Sequence, residues 1–169
     1  LLLDYLRSEA EELMDREIRF RTLGDASMLP PKVREEVDRF QARSQDNEAM
    51  DLNIALSYGA REEILHAVQR VAREAKEGKL SPEAITEELF SSYLYAPEVP
   101  DPDLMIRTSG ELRVSNFMLW QIAYTELHVT PVLWPDFTDE HFIQAMQDYS
   151  GRQRRYGLTG QQASALVPR

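Results

Sequence analysis

Leu2, Leu3, Leu6, Ala10, Leu13 and Met14 recur in steps of three and four, the spacing of an amphipathic helix. The period then changes to two. In "REIRFRTLGD", Ile18, Phe20 and Thr22 alternate with Arg19 and Arg21, which predicts a strand ending at Gly24-Asp25. Pro30-Pro31 interrupts the chain, and a polar helix is expected from there to about Arg43. "DLNIALSYG" reads as a second strand closed by Gly59. "REEILHAVQRVAREAKEG" predicts a helix with Ile64, Val68, Val71, Ala72 and Ala75 on one face and Gly78 at its stop. Ser81-Pro82 is an N-cap and first-turn pair for another helix. Pro97, Pro100 and Pro102 make a stiff lead-in to "DLMIRTS", a third strand. "SNFMLWQIAYTEL" predicts a helix carrying Phe117, Trp120, Tyr124 and Leu127 on one face. "PVLWPDF" is expected to hold a short fourth strand, and Phe142, Met146 and Tyr149 mark a last helix.

Strands alternating with helices predict an α/β fold with a parallel sheet covered by helices. In such sheets ligands bind at the carboxyl ends of the strands. Arg107 lies at the end of the third strand, where that rule places chemistry.

Composition narrows the classes. The 169 residues suit one domain, expected over 1–163, and 43% hydrophobic with 28% charged residues is ordinary for a soluble globular protein. The final "LVPR" matches the left side of a thrombin site, so 164–169 are read as a cleavage-site remnant outside the fold. No apolar run of about 18 residues suggests a membrane span. The absence of cysteine removes disulfides, thiolate metal sites and cysteine nucleophiles, and fits a cytoplasmic protein. A net charge of -10 argues against general nucleic-acid binding. An anionic substrate would be repelled at long range and would need local arginines or a divalent cation.

Against that acidic background, Arg107-Thr-Ser-Gly-Glu-Leu-Arg113-Val-Ser115 is a cationic knot between two apolar stretches. Gly110 permits a turn with amides pointing inward, and Ser115 can start a helix whose N-terminus favours anions. The forked guanidinium groups of Arg107 and Arg113 suit phosphate oxygens. These parts form a candidate pyrophosphate cradle, distinct from a P-loop because G-x-x-x-x-G-K-[ST] is absent. The alternative is a structural loop in which Arg107 pairs with Glu111 and Ser115 only caps the helix. Glu126, further along the expected helix, is either a magnesium ligand or a helix-end carboxylate. None of His66, His128 and His141 lies in a zinc pattern, which leaves surface or interface roles. Arg152, Arg154 and Arg155 can be a solvated basic tail.

The block "DLMIRTSGELRVSNFMLWQIAYTEL" with "LWPDF" resembles the cis-prenyltransferase family, which includes undecaprenyl diphosphate synthase. "IRFRTLGD" resembles the family's strand ending in Gly-Asp. "SQDNEAMDLNIALSYGAREEI" resembles its T-x-x-N, L-N-I-A and Y-G-G-R segment, and "RRYG" its Arg-x-Gly motif. The likeness extends to Gly157. Ser57 stands where the family usually has Asn, Ala60 where it has the second Gly of Y-G-G-R, and Leu112 where a polar residue is common.

The resemblance implies an enzyme that adds isopentenyl diphosphate to an allylic diphosphate such as farnesyl diphosphate. The product would be a cis-polyprenyl diphosphate, for which undecaprenyl is the common length, and Mg2+ would be the cofactor. It implies that Arg107, Arg113 and Ser115, with Gly110 in their turn, hold the diphosphate of isopentenyl diphosphate. Glu126 would bind metal, and Arg155 and Gly157 would reach across a homodimer interface to the same site. The family's Asp-Gly-Asn-Gly-Arg block, which supplies the catalytic aspartate, is absent. The expectation is therefore an N-terminally incomplete domain carrying the isopentenyl diphosphate half-site, with no catalytic residue of its own and inactive alone. A greasy product implies transient contact with a membrane surface. Two other readings stay open: a non-catalytic subunit of a heteromeric cis-prenyltransferase, and a phosphate-binding regulatory module. D-D-x-x-D, used by trans-prenyltransferases, is absent.

Overall fold

The computed structural model describes residues 2–152, with side chains from Ser8 onward. The fold is α/β, built of parallel strands and helices. The chain divides between Glu98 and Val99 into two compact units.

The first unit runs α1 (Leu2–Asp15), β1 (Ile18–Leu23), α2 (Pro31–Ser44), β2 (Met50–Ala55), α3 (Ala60–Lys76) and the short α4 (Glu87–Ser91). β1 and β2 are parallel, in register from Ile18 opposite Met50 to Leu23 opposite Ala55. Parallel neighbours need a long crossover, and α2 supplies it. Pro31 at the first turn of α2 loses no intrahelical bond, because its missing N–H would be unpaired there anyway. Phe20, Val37, Phe40 and Ala10 form the buried core, with Leu13, Met14, Leu52 and Ile54 packed against it. The Phe20 and Phe40 rings lie 4.9 Å apart and tilted. Full burial of a side chain such as Phe20 contributes about 1.5–3 kcal/mol.

The edge of β1 away from β2 is closed by side chains. Phe20 N–H donates to Ser44 Oγ at 3.0 Å, Thr22 N–H to Gln41 Oε1 at 2.8 Å, and Asn47 Nδ2 to Ile18 O at 2.9 Å. Three outward backbone groups thus find partners on α2 and the turn after it, where a further strand would otherwise be needed. Ser44 and Asn47 occupy the ends of the segment resembling T-x-x-N, so this is that motif's physical work here.

The buried row of α3 is Ala60, Glu63, Ala67 and Val71. It differs from the expected stripe, and Val68 is 47% exposed. Alanines let the helix backbone approach closely, and Glu63 turns inward to meet the Tyr58 hydroxyl and the Tyr95 N–H, which are partly buried. Gly78 ends α3 at φ +71°, with Lys79 N–H returning to Glu74 O at 2.9 Å. Ser81-Pro82 opens only a 3-10 turn (Pro82–Ala84), and Ser81 makes no side-chain cap bond. Thr86 caps the next helix instead, accepting from Leu89 N–H at 3.2 Å.

The second unit contains β3 (Leu104–Arg107), β4 (Glu126–Val129), a 3-10 turn (Trp134–Asp136) and α5 (Asp139–Ser150). β3 and β4 are parallel, Leu104 opposite Glu126 and Arg107 opposite Val129. Two expectations are corrected here. The stretch 115–125 forms turns and not a helix. Ser115, Asn116 and Met118 have φ of +50°, +60° and +47°, and a right-handed helix cannot pass through left-handed residues. The fourth strand is "ELHV" and not part of "PVLWPDF". Pro131 and Pro135 lack the N–H a ladder needs, and the latter chain segment turns as a 3-10 helix. α5 packs on β4 with Ala145 fully buried, so Phe142 and Met146 of the expected stripe are exposed. Thr138 and His141 form its capping box.

Candidate functional site

The end of β3 is held by β4. Thr130 N–H donates to Arg107 O at 2.9 Å, Ser109 N–H to Val132 O at 2.8 Å and Gly110 N–H to Thr130 O at 2.8 Å. Two consecutive left-handed residues, Ser109 (φ +65°) and Gly110 (φ +66°), turn the chain there. Gly110 is needed for that backbone conformation and not for space, since an added Cβ would meet only Pro131 Cα at 3.8 Å. The expected inward amide of Gly110 is therefore spent on Thr130.

Arg107 and Ser115 come together: Arg107 Nη2 points to Ser115 Oγ at 3.5 Å, the outer limit of a hydrogen bond. Ser115 does this from a turn and not from a helix start. Arg107 Nε is buried and has no hydrogen-bond partner. An unpaired buried donor costs about 1–3 kcal/mol, more when charged, so this guanidinium is set to gain an acceptor. The alternative pairing of Arg107 with Glu111 does not occur, because Glu111 is ion-paired with Arg113. Arg113 is itself 71% exposed. Left-handed φ at Ser109, Gly110, Ser115, Asn116 and Met118 crowds strained backbone into one loop, a frequent mark of functional segments.

Glu126 opens β4 and is not on a helix. Its N–H donates to Asp103 O at 3.1 Å, and its carboxylate receives Arg152 Nη1 at 2.9 Å. Arg152 also donates to Leu127 O at 2.8 Å, so it is bound to the fold and not a solvated tail residue. Among the described residues no group of three His, Cys, Asp or Glu could hold a metal ion. One carboxylate already paired with a guanidinium does not fit a magnesium cage. Arg155 and Gly157 lie outside the described residues. His128 Nδ1 meets Asp148 Oδ2 at 3.0 Å, and the His66 ring lies 5.9 Å from that of Tyr95.

A second polar cluster, missed in the sequence, lies beyond the carboxyl ends of β1 and β2. Glu63 is 2% exposed. Tyr58 OH donates to its Oε2 at 2.5 Å and Tyr95 N–H to its Oε1 at 3.0 Å. Burial pushes the Tyr95 phenol above its ordinary pKa, and the charges of Asp25, Glu63 and Glu62 add to the shift. The Ser27 hydroxyl and amide hold the Asp25 carboxyl below its ordinary value, with His66 and Arg34 assisting. The available signal was a glutamate at a helical step from Ala60, Ala67 and Val71.

The family model described as "Putative undecaprenyl diphosphate synthase" matches residues 1–157. The chain belongs to this undecaprenyl diphosphate synthase family. An isoprenyl transferase of Heliobacterium mobile is 50% identical over 157 residues, covering 93% of the chain and 60% of that protein. The ditrans,polycis-undecaprenyl-diphosphate synthase ((2E,6E)-farnesyl-diphosphate specific) of Coxiella burnetii is 47% identical over 162 residues, 96% of the chain and 68% of its own length. The chain thus spans about 60% of the Heliobacterium relative. Among solved structures, lavandulyl diphosphate synthase from Lavandula x intermedia in complex with dimethylallyl diphosphate superposes with a TM-score of 0.89 at 37% identity. That match covers 92% of this chain and 68% of the plant enzyme. The undecaprenyl diphosphate synthase family is a family of transferases and is generally dependent on Mg2+. Among the described residues no helix is long and apolar enough to cross a membrane.

Proposed function

We propose that this chain carries the isopentenyl diphosphate half-site of a cis-prenyltransferase making a polyprenyl diphosphate, undecaprenyl being the length the Coxiella relative's name suggests. The observation that carries the reading is the Arg107 guanidinium at the carboxyl end of β3, with Nε unpartnered and Nη2 directed at Ser115. A diphosphate oxygen supplies the missing acceptor, and the Ser115 hydroxyl offers a second donor. Arg113 would join by exchanging Glu111 for the diphosphate, and Gly110 keeps the turn that places both flanks. Arg155 and Gly157 would complete the site from the second copy of a homodimer in the cytoplasm, with transient contact between product and membrane surface.

In the reaction the allylic carbon loses its diphosphate and bonds to the terminal alkene carbon of isopentenyl diphosphate. A proton then leaves, so the new chain keeps one double bond per unit. Arg107 and Ser115 act by holding one reactant in place, which lowers the entropic part of the barrier. Mg2+ is the family's cofactor, but Glu126, paired with Arg152, does not by itself fit a magnesium site. The described residues by themselves do not assemble that site. The plant relative solved with dimethylallyl diphosphate, an allylic diphosphate, supports the choice of substrate class.

Steady-state kinetics with both substrates test this. A charge-assisted contact is worth about 1.5–3 kcal/mol, so Arg107→Ala should raise KM for isopentenyl diphosphate roughly tenfold to a hundredfold. KM for the allylic substrate should hardly move. Equal increases in both would count against the half-site.

A further inference from the structure

We infer that Thr130 is a positioning residue for Arg107 and Ser115, and that its hydroxyl works by fixing the turn that joins them. The role rests on the diphosphate half-site proposed above and adds the residue that shapes it. Thr130 is buried and follows directly on β4. It holds the end of β3 at two points: its N–H donates to Arg107 O at 2.9 Å, and its carbonyl accepts the Gly110 N–H at 2.8 Å. Its Oγ1 accepts the Val132 N–H at 3.3 Å, closing a local turn of the kind that Ser and Thr hydroxyls form two residues on. Val132 O in turn accepts the Ser109 N–H at 2.8 Å.

The hydroxyl is the link in this series that a side chain supplies. Pro131 has no N–H, so Val132 carries the next backbone donor after Thr130, and Oγ1 takes it. That bond sets the place of Val132 O, and Val132 O holds Ser109. Ser109 has φ +65°, an unfavourable conformation for a residue with a Cβ, and its bond to Val132 offsets the strain. Arg107 and Ser115 are eight residues apart, so the direction in which Ser109 and Gly110 send the chain decides whether Ser115 Oγ reaches the guanidinium. At 3.5 Å the contact is at its outer limit, and a small drift of the turn removes it. Thr130 thus acts through Arg107 and Ser115, while its own oxygen is occupied by Val132.

The test titrates the full chain with inorganic diphosphate by calorimetry and follows hydrogen exchange at the Ser109 amide. Thr130→Val and Thr130→Ala should weaken diphosphate binding about fivefold, the effect of one ordinary hydrogen bond, and should speed Ser109 exchange. Thr130→Ser keeps the hydroxyl and should match the wild type in both. Circular dichroism confirms that each variant is folded, and two hydroxyl-free replacements guard against loss of one. Arg107→Ala serves as the control for the half-site. Wild-type binding that needs Arg107, with Thr130→Val and Thr130→Ala binding equally well, overturns the positioning role and leaves the half-site standing. Thr130→Ser as weak as Thr130→Val also overturns it, because the hydroxyl is then not the working group. A wild type that binds no better than Arg107→Ala sinks the half-site reading and the role of Thr130 with it.

Discussion

Ser44 Oγ accepts the Phe20 N–H at 3.0 Å inside the core of the first unit. It donates in turn to Phe40 O at 3.1 Å, so one hydroxyl links β1 to the last turn of α2. Ser44 is fully buried and Phe20 nearly so. Ser44→Ala leaves the Phe20 amide without a partner and should destabilise the protein by about 1–3 kcal/mol, read from urea unfolding. Ser44→Thr keeps the hydroxyl and should recover most of that loss. A silent Ser44→Ala would mean that β1 does not rely on this cap.

The Glu63 carboxylate is a second buried polar anchor. It joins α3 to Tyr58 before the helix and to Tyr95 after α4. Glu63→Ala removes an acceptor from two donors and opens a cavity, and should cost about 2–5 kcal/mol. Tyr58→Phe removes only one donor and should cost about 1–3 kcal/mol. The double variant should be less destabilised than the sum of the two, because both act on one bond. Strict additivity in chemical denaturation would show that the two groups are independent.

Gly24 and Gly78 both have positive φ but differ in surroundings. A Cβ on Gly24, at φ +122°, would lie 2.1 Å from Leu56 O, and that backbone is held by the Leu56 N–H bond to Leu23 O. At Gly78, φ +71°, nothing lies within 4 Å. Gly78→Ala should therefore cost only about 1–2 kcal/mol of backbone strain. Gly24→Ala should cost more than about 3 kcal/mol and reduce the yield of folded protein. Comparable melting temperatures for the two variants would contradict this.

Alkaline pH should destabilise the first unit through its tyrosines. Tyr95 is raised above its ordinary pKa chiefly by burial, and Tyr93 is raised chiefly by its hydrogen bond to Glu74. A raised folded pKa means that the folded form holds its proton longer than the unfolded form. The stabilisation is complete below the unfolded tyrosine value of about 10 and is lost as pH rises through the folded value. Unfolding free energy should be flat from neutrality to about pH 10 and fall beyond it. Tyr95→Phe should make that fall shallower, and an unchanged slope would remove Tyr95 from the account.

The sequence by itself determined the α/β class, the first three strands and the helices at 31–44, 60–76 and 139–150, because period and Pro/Gly punctuation are local. It also carried the family, through the long block around "RTSGELRVSNF". What depends on distant partners was decided only in three dimensions. Phe117, Trp120 and Tyr124 have helical spacing, yet left-handed residues at 115, 116 and 118 break that helix. Glu126 reads as a helical carboxylate but begins β4, because its backbone pairs with the strand starting at Leu104. Neither the turning inward of Glu63 nor the hold of Arg152 on Glu126 follows from spacing. A buried carboxylate is stable only where donors far along the chain converge on it, and that convergence is a property of packing.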